Sequence, residues 1–156
     1  MKDASKNSIL CLFLLLITGC STGIVVHDEV RAAELVVDFL SGFKSDNGKQ
    51  LSYEWTDDGF KEDVSSREFS SIVASIRNKN QGADIRLVGY ETFGAVETII
   101  VYAMSAVSEE RMYFRFILAG TKSSDYYLLK LDVKDSEYRK KGVYNDYDRA
   151  ILVLGV

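Results

Sequence analysis

The chain predicts an α+β domain, with N-terminal helices packed on one face of a curved antiparallel meander sheet of about four or five strands. Three observations carry this. Apolar residues recur at helical spacing from Glu29 to Asn78. From Ala83 onward the period changes to two. The breaks between the alternating runs are short enough for antiparallel hairpins, and helices that precede the strands as a block follow the α+β order.

Asp28 is placed to cap a first helix from Glu29 to Phe43. Its stripe is Val30, Ala33, Val37 and Leu40, widened by Val36 and Phe43. Gly42 weakens its end, and Ser45-Asp46-Asn47-Gly48 breaks it. A short helix from Lys49 to Trp55 then pairs Leu51 with Trp55 at i,i+4, and Thr56-Asp57-Asp58-Gly59 reads as a turn. Ser65-Ser66-Arg67-Glu68 fits a capping box, with Val64 and Phe69 at staple positions. The helix it opens runs from Ser66 to about Asn78 and buries Phe69, Ile72, Val73 and Ile76. Asn80-Gln81-Gly82 stops it.

The first strand is read from Ile85 to Phe93, with Gly94 at the turn, and the second from Val96 to Val107. Ser108-Glu109-Glu110 turns the chain. In the third, Arg111 to Ala119, Met112, Phe114, Phe116 and Leu118 face one way, and Tyr113, Arg115 and Ile117 the other. Gly120 to Asp125 turns again. The fourth runs from Tyr126 to Val133 with Tyr127, Leu129, Leu131 and Val133 on its apolar side. A C-terminal extension begins at about residue 136. Its Ser136 to Gly142 stretch is charged, Tyr144 to Tyr147 is turn-like, and Ile151 to Leu154 is a last strand or docked segment.

The N-terminus carries an address. Lys2 and Lys6 make a weakly basic start, and Ile9 to Ile17 is an apolar run of signal-peptide length. That run is too short to cross a bilayer, which takes ~20 residues. Ile17-Thr18-Gly19-Cys20 resembles a bacterial lipobox. The resemblance implies a signal peptide over 1–19, a lipid on the Cys20 thiol, a tether over 20–27 and a single domain over 28–156. It also implies a place in the cell envelope, anchored through acyl chains. With Ser21 rather than Asp after the cysteine, it implies the outer membrane facing the periplasm in a Gram-negative source. Fully extended, Ser21 to His27 reach ~23 Å at ~3.3 Å per residue.

Composition narrows the chemistry. The chain has two cysteines, Cys11 and Cys20. The first leaves with the signal peptide and the second takes the lipid, so the domain folds without a disulfide. The net charge is −4, without a basic stripe interleaved with aromatics, which argues against nucleic acid as a partner. The sole histidine, His27, lies in the tether and lacks the frame a catalytic base needs. Asp57, Asp58, Glu62 and Asp63 cluster without EF-hand spacing and read as a solvated loop, with weak calcium binding as the alternative. No phosphate loop or dinucleotide fingerprint occurs. No catalytic residue, metal ligand or cofactor is expected.

A long helix, a short one around Leu51 and Trp55, a capped one near Ser66 and four antiparallel strands lie in order between Asp28 and Asp135. This order resembles the nuclear-transport-factor-2-like, or cystatin-like, cone; the tail departs from a minimal member. Enzymes on that fold work inside the cone with Asp, His, Tyr or Arg. By that resemblance Tyr90, Glu97, Tyr102 and Arg115, on predicted strands, are placed to line a pocket or partner-binding mouth. The plainer reading gives them structural or rim roles. Trp55 is read as core that closes helix against sheet, or else as a contact residue. The expected function is a non-enzymatic protein-binding or assembly module. Its alternatives are an immunity lipoprotein against a periplasmic toxin, a small-ligand or enzymatic pocket, and a homodimer through the sheet. An enzyme would show a deep cavity with a buried carboxylate of raised pKa.

Overall fold

A computed structural model describes residues 24–107 and 110–156. The segment expected to be a signal peptide, Cys20 and most of the β2–β3 turn at Ser108-Glu109 lie outside the described residues. Helix α1 spans Glu29–Ser41, and its N-cap Asp28 accepts from the Arg31 N–H. It buries Ala32, Ala33, Val36, Phe39 and Leu40. The buried stripe is therefore rotated from the expected one, and Val30 stays 59% exposed. A single 3-10 turn, Gly42–Lys44, takes the place of the last helical turn and buries Phe43.

Helix α2, Asp46–Glu54, starts earlier than its apolar residues suggest, because Ser45 caps it through the Gly48 N–H. The two backbones touch at Gly42 and Gly48. A β-carbon on either glycine would collide with the other's backbone. Ser52, fully buried, donates from this crossing to the Phe39 carbonyl at 2.8 Å. Leu51 is half exposed and does not pair with Trp55 as a buried couple. Trp55 ends α2 and packs against the edge of the core.

The segment read as a turn and acidic loop folds as helix α3, Asp58–Asp63. The Asp57 carboxylate caps it by accepting from the Phe60 N–H. Turn chemistry and N-cap chemistry share Asp, and here the cap prevails. Helix α4, Ser66–Asn80, carries the expected capping box between Ser65 and Glu68. It buries Phe69, Val73 and Ile76, but Ile72 remains 40% exposed, on the flank away from the core.

The strands are β1 (Ile85–Thr92), β2 (Thr98–Val107), β3 (Glu110–Ala119), β4 (Tyr127–Lys134) and β5 (Val143–Val153). They form one antiparallel sheet in the order β4-β3-β2-β1-β5. Strands β1 to β4 meander. β5 instead returns to pair with β1, so Tyr144 to Tyr147 is edge strand rather than turn. On β4 the register slips opposite Ile117 and Leu118. Leu128 is buried and Tyr127 is half exposed, which reverses the expected phase at the start of the strand.

The helices cover one face of the sheet. Phe39 and Phe43 of the α1 layer meet Phe69 of α4, and Phe39 also meets Phe116 of β3. Ring separations are 5.1–6.1 Å and the rings stand edge to face. Burying each ring is worth ~1.5–3 kcal/mol, and each such aromatic pair adds ~0.5–1.5. The sheet order leaves β4 and β5 on opposite edges, ~19 Å apart at ~4.8 Å per strand spacing. Asp135–Gly142 must cross that distance on the face away from the helices. The strap also runs the length of the strands, from beside Tyr113 to beside Thr92. Fully extended it reaches ~26 Å at ~3.3 Å per residue, so it has little slack. Among the described residues, no helix is long and apolar enough to cross a membrane.

Candidate functional site

Alternation sends a second layer of side chains away from the helices. Ile100 and Tyr102 of β2 form a small buried cluster with Tyr138 of the strap, and Val88, Tyr113 and Tyr144 pack around it. The strap is fastened by Glu91, which is 1% exposed on β1. Its Oε2 accepts from the Tyr102 hydroxyl at 2.5 Å. Its Oε1 accepts from the backbone N–H groups of Lys141 and Gly142. Burial alone would raise the Glu91 pKa. The Tyr102 hydroxyl, the two amides and the nearby Lys140 ammonium together outweigh burial and hold the carboxyl below its usual range. Burial and the same carboxylate push the Tyr102 hydroxyl up.

Arg115 lies opposite Tyr102 on β3 and opposite Asp132 on β4. Its Nε and Nη2 both donate to Asp132 Oδ2, at 3.0 and 2.5 Å. Lys130 reaches the other carboxylate oxygen at 3.2 Å. Burial works to raise the Asp132 pKa, but its bonds to Arg115 and Lys130 prevail and lower it. The Arg115 guanidinium lies 4.7 Å from the Tyr138 ring centre, and the Lys134 ammonium 4.2 Å from it. The Lys140 ammonium sits between Tyr102 and Tyr144, 5.0 and 5.1 Å from their centroids. A pocket of about 190 Å³ remains here, walled by Met104, Tyr113, Tyr138, Tyr144 and Lys140.

The residues singled out in the sequence separate. Tyr102 and Arg115 come together under the strap. Tyr90 is on the helix-side face, its ring 5.4 Å from that of Tyr147. Glu97 is exposed in the β1–β2 turn, off the strand, and contributes its carbonyl to the Gly120 N–H. Trp55 is at the outer edge of β4, where its carbonyl accepts from the Leu128 N–H at 3.1 Å. His27 lies away from this site: its Nε2 donates to the Val96 carbonyl at 3.0 Å. Sequence reasoning missed Glu91, Tyr138 and Lys140. Glu91 occupies a polar position of an alternating strand, and nothing local marks it as buried.

A second feature lies on the other side of the sheet. Helices α3 and α4 leave the helix-side face of β4 partly open. Two adjoining clefts of about 850 and 530 Å³ share Ile72 and Leu131. The floor is Phe60, Phe69, Ile72, Leu131 and Val133. One end is lined by Lys79, Arg111, Lys134 and Asp135, with the Lys134 ammonium itself turned to the Tyr138 ring on the opposite face; the other is lined by Asp57, Glu62, Asp63 and Lys130. Among the described residues, the outer backbone edge of β4 is paired only at Leu128, with Trp55 and Asp57. No group of His, Cys, Asp and Glu among the described residues is arranged to hold a metal ion. No family model matches the chain, and neither a curated protein nor a solved structure matches it.

Proposed function

We propose that this chain is a lipid-anchored cell-envelope protein and a non-enzymatic protein-binding module. Its docking site is the cleft between α3–α4 and β4, and its occupant is an extended segment of a partner protein. One observation carries the reading: a strand edge that, among the described residues, is paired only at Leu128 runs beside an apolar-floored cleft whose two ends bear net charge of opposite sign. An added strand gains main-chain hydrogen bonds from such an edge, and side-chain pockets give it specificity. Charge complementarity asks for acidic residues toward Lys79 and Arg111, and basic residues toward Asp57, Glu62 and Asp63. Apolar residues between them would meet Ile72, Leu131 and Val133.

The lipobox resemblance at Ile17 to Cys20 supports the anchor, and the order of helices and sheet supports the nuclear-transport-factor-2-like reading of the domain. The Glu91 carboxyl supports a non-enzymatic role. A general base works best with a pKa near the operating pH, whereas this one is lowered and both its oxygens are engaged.

The test places a photo-crosslinking benzoylphenylalanine at Ile72 in intact cells, with Arg149 on β5 as the control position. The expected result is one discrete adduct from position 72, none from 149, and loss of the adduct on Val133→Asp. A secreted toxin in that adduct assigns immunity, and a resident envelope protein assigns assembly; either supports the module. No adduct, equal adducts from both positions, or an adduct of twice the chain's own mass overturns it, the last in favour of a homodimer.

A further inference from the structure

The pocket beneath the strap is built to hold a positive charge, and the chain currently fills it with its own lysine. Tyr102 and Tyr144 stand 6.0 Å apart at 60°, with Tyr138 6.1 Å from Tyr102. Aromatic faces carry negative potential and attract ammonium groups within about 6 Å. Both flanking hydroxyls donate to carboxylates, Tyr102 to Glu91 at 2.5 Å and Tyr144 to Asp146 at 3.0 Å. Each such bond adds electron density to the ring and strengthens its face toward cations. The Lys140 ammonium completes the arrangement with Glu137 Oε1 at 2.5 Å.

Lys140 is not locked in place. Its salt-bridge partner, Glu137, is on the same strap with its side chain 70% exposed. The 190 Å³ beside Lys140 is too small for a drug-sized molecule, whose sites run from about 300 Å³, but suits a single amine head. The other cations nearby do not claim the space between Tyr102 and Tyr144: Arg115 is bound to Asp132, and Lys134 lies over Tyr138.

We propose that Tyr102 and Tyr144 form a binding site for a small organic ammonium group, with Lys140 as a tethered competitor that the ligand displaces. A tethered group competes at an effective concentration in the millimolar range, so the unaltered chain binds weakly and loss of Lys140 unmasks the site.

The experiment uses the full chain and follows the ring resonances of Tyr102 and Tyr144 by NMR. Probes are choline and an N-acetyl-lysine amide, with acetate as the anionic control. In the Lys140→Ala variant, an ammonium probe is expected to bind about tenfold or more tightly than in the unaltered chain, the effect of removing a tethered competitor. Tyr144→Leu is expected to abolish this gain. Preference for choline assigns a free quaternary amine, and preference for the lysine amide assigns a lysine presented by a polypeptide. In the unaltered chain, high probe concentrations are expected to shift the Lys140 side-chain resonance as it leaves the rings, a readout independent of how the variant folds. Absence of ring shifts in Lys140→Ala together with an unmoved Lys140 signal, or an equal response to acetate, overturns the proposal.

Discussion

Glu91 and Tyr102 lie on neighbouring strands with the tyrosine hydroxyl 2.5 Å from the carboxylate, and the same carboxylate receives the backbone of Lys141 and Gly142 from the strap. One buried side chain thus joins the sheet to the segment that crosses it.

Removing that carboxylate orphans three donors. Glu91→Ala is expected to cost about 3 kcal/mol of stability, since hydrogen bonds to charged groups are worth ~1.5–3 and buried unpaired donors add a penalty. Glu91→Gln costs less, about 1 kcal/mol, because its carbonyl oxygen accepts both amides while its NH₂ faces the Tyr102 oxygen. Urea unfolding of the three proteins measures both differences, and equal losses for Ala and Gln would contradict the bonding described.

The same group sets an acid limb. The Glu91 pKa is lowered in the folded protein, while an unfolded glutamate titrates near ~4.3. Between these values the unfolded state binds more protons, so stability falls as pH falls. The contribution is present in full above about pH 5 and is lost as pH drops through the folded pKa. Asp132, also lowered, acts in the same direction. Unfolding free energy measured against pH is expected to decline below about pH 5, and less steeply in Glu91→Gln.

The Gly42–Gly48 crossing predicts a contrast between glycines. A methyl at Gly48 meets the Gly42 backbone, and neither side can give without moving a helix. Gly48→Ala is expected to cost about 2–3 kcal/mol, in the range of overpacking. Gly94 has φ +69 with nothing within 4 Å of an added β-carbon. Gly94→Ala then costs only the left-handed conformation, about 1 kcal/mol. Thermal melts of the two variants separate them.

The anchor proposed at Cys20 predicts a location. Cys20→Ala is expected to move the protein from the membrane fraction to the non-membrane fraction and to abolish labelling by radioactive palmitate. Retention of both would remove lipid attachment from the proposal.

Where the sequence was informative, a strong local rule acted alone. The capping box at Ser65 and Glu68 and the alternation from Met112 to Leu118 appear in the fold as read. Misreadings fell where two rules shared residues. Asp57 serves turns and helix caps equally well. Tyr144-Asn145-Asp146-Tyr147 has turn composition, yet polar residues also suit an edge strand that must avoid pairing with other chains. A slip in the β4 register reversed the phase at Tyr127 and Leu128. The site was legible only in part. Tyr102 and Arg115 are cross-strand neighbours that alternation places on one face, but Glu91 meets Lys141 from 50 residues away. Only the strap's path brings those two together, and that path follows from β5 returning to β1.

Because the strap starts on one outermost strand and ends on the other, the two margins of the sheet are mechanically coupled. Pulling β4 outward draws on the same eight residues that hold β5, and peeling β5 away from β1 slackens the cover over Tyr102. A pull on β4 is therefore carried along the strap to Glu91, whose carboxylate holds its far end at Lys141 and Gly142 beside β5.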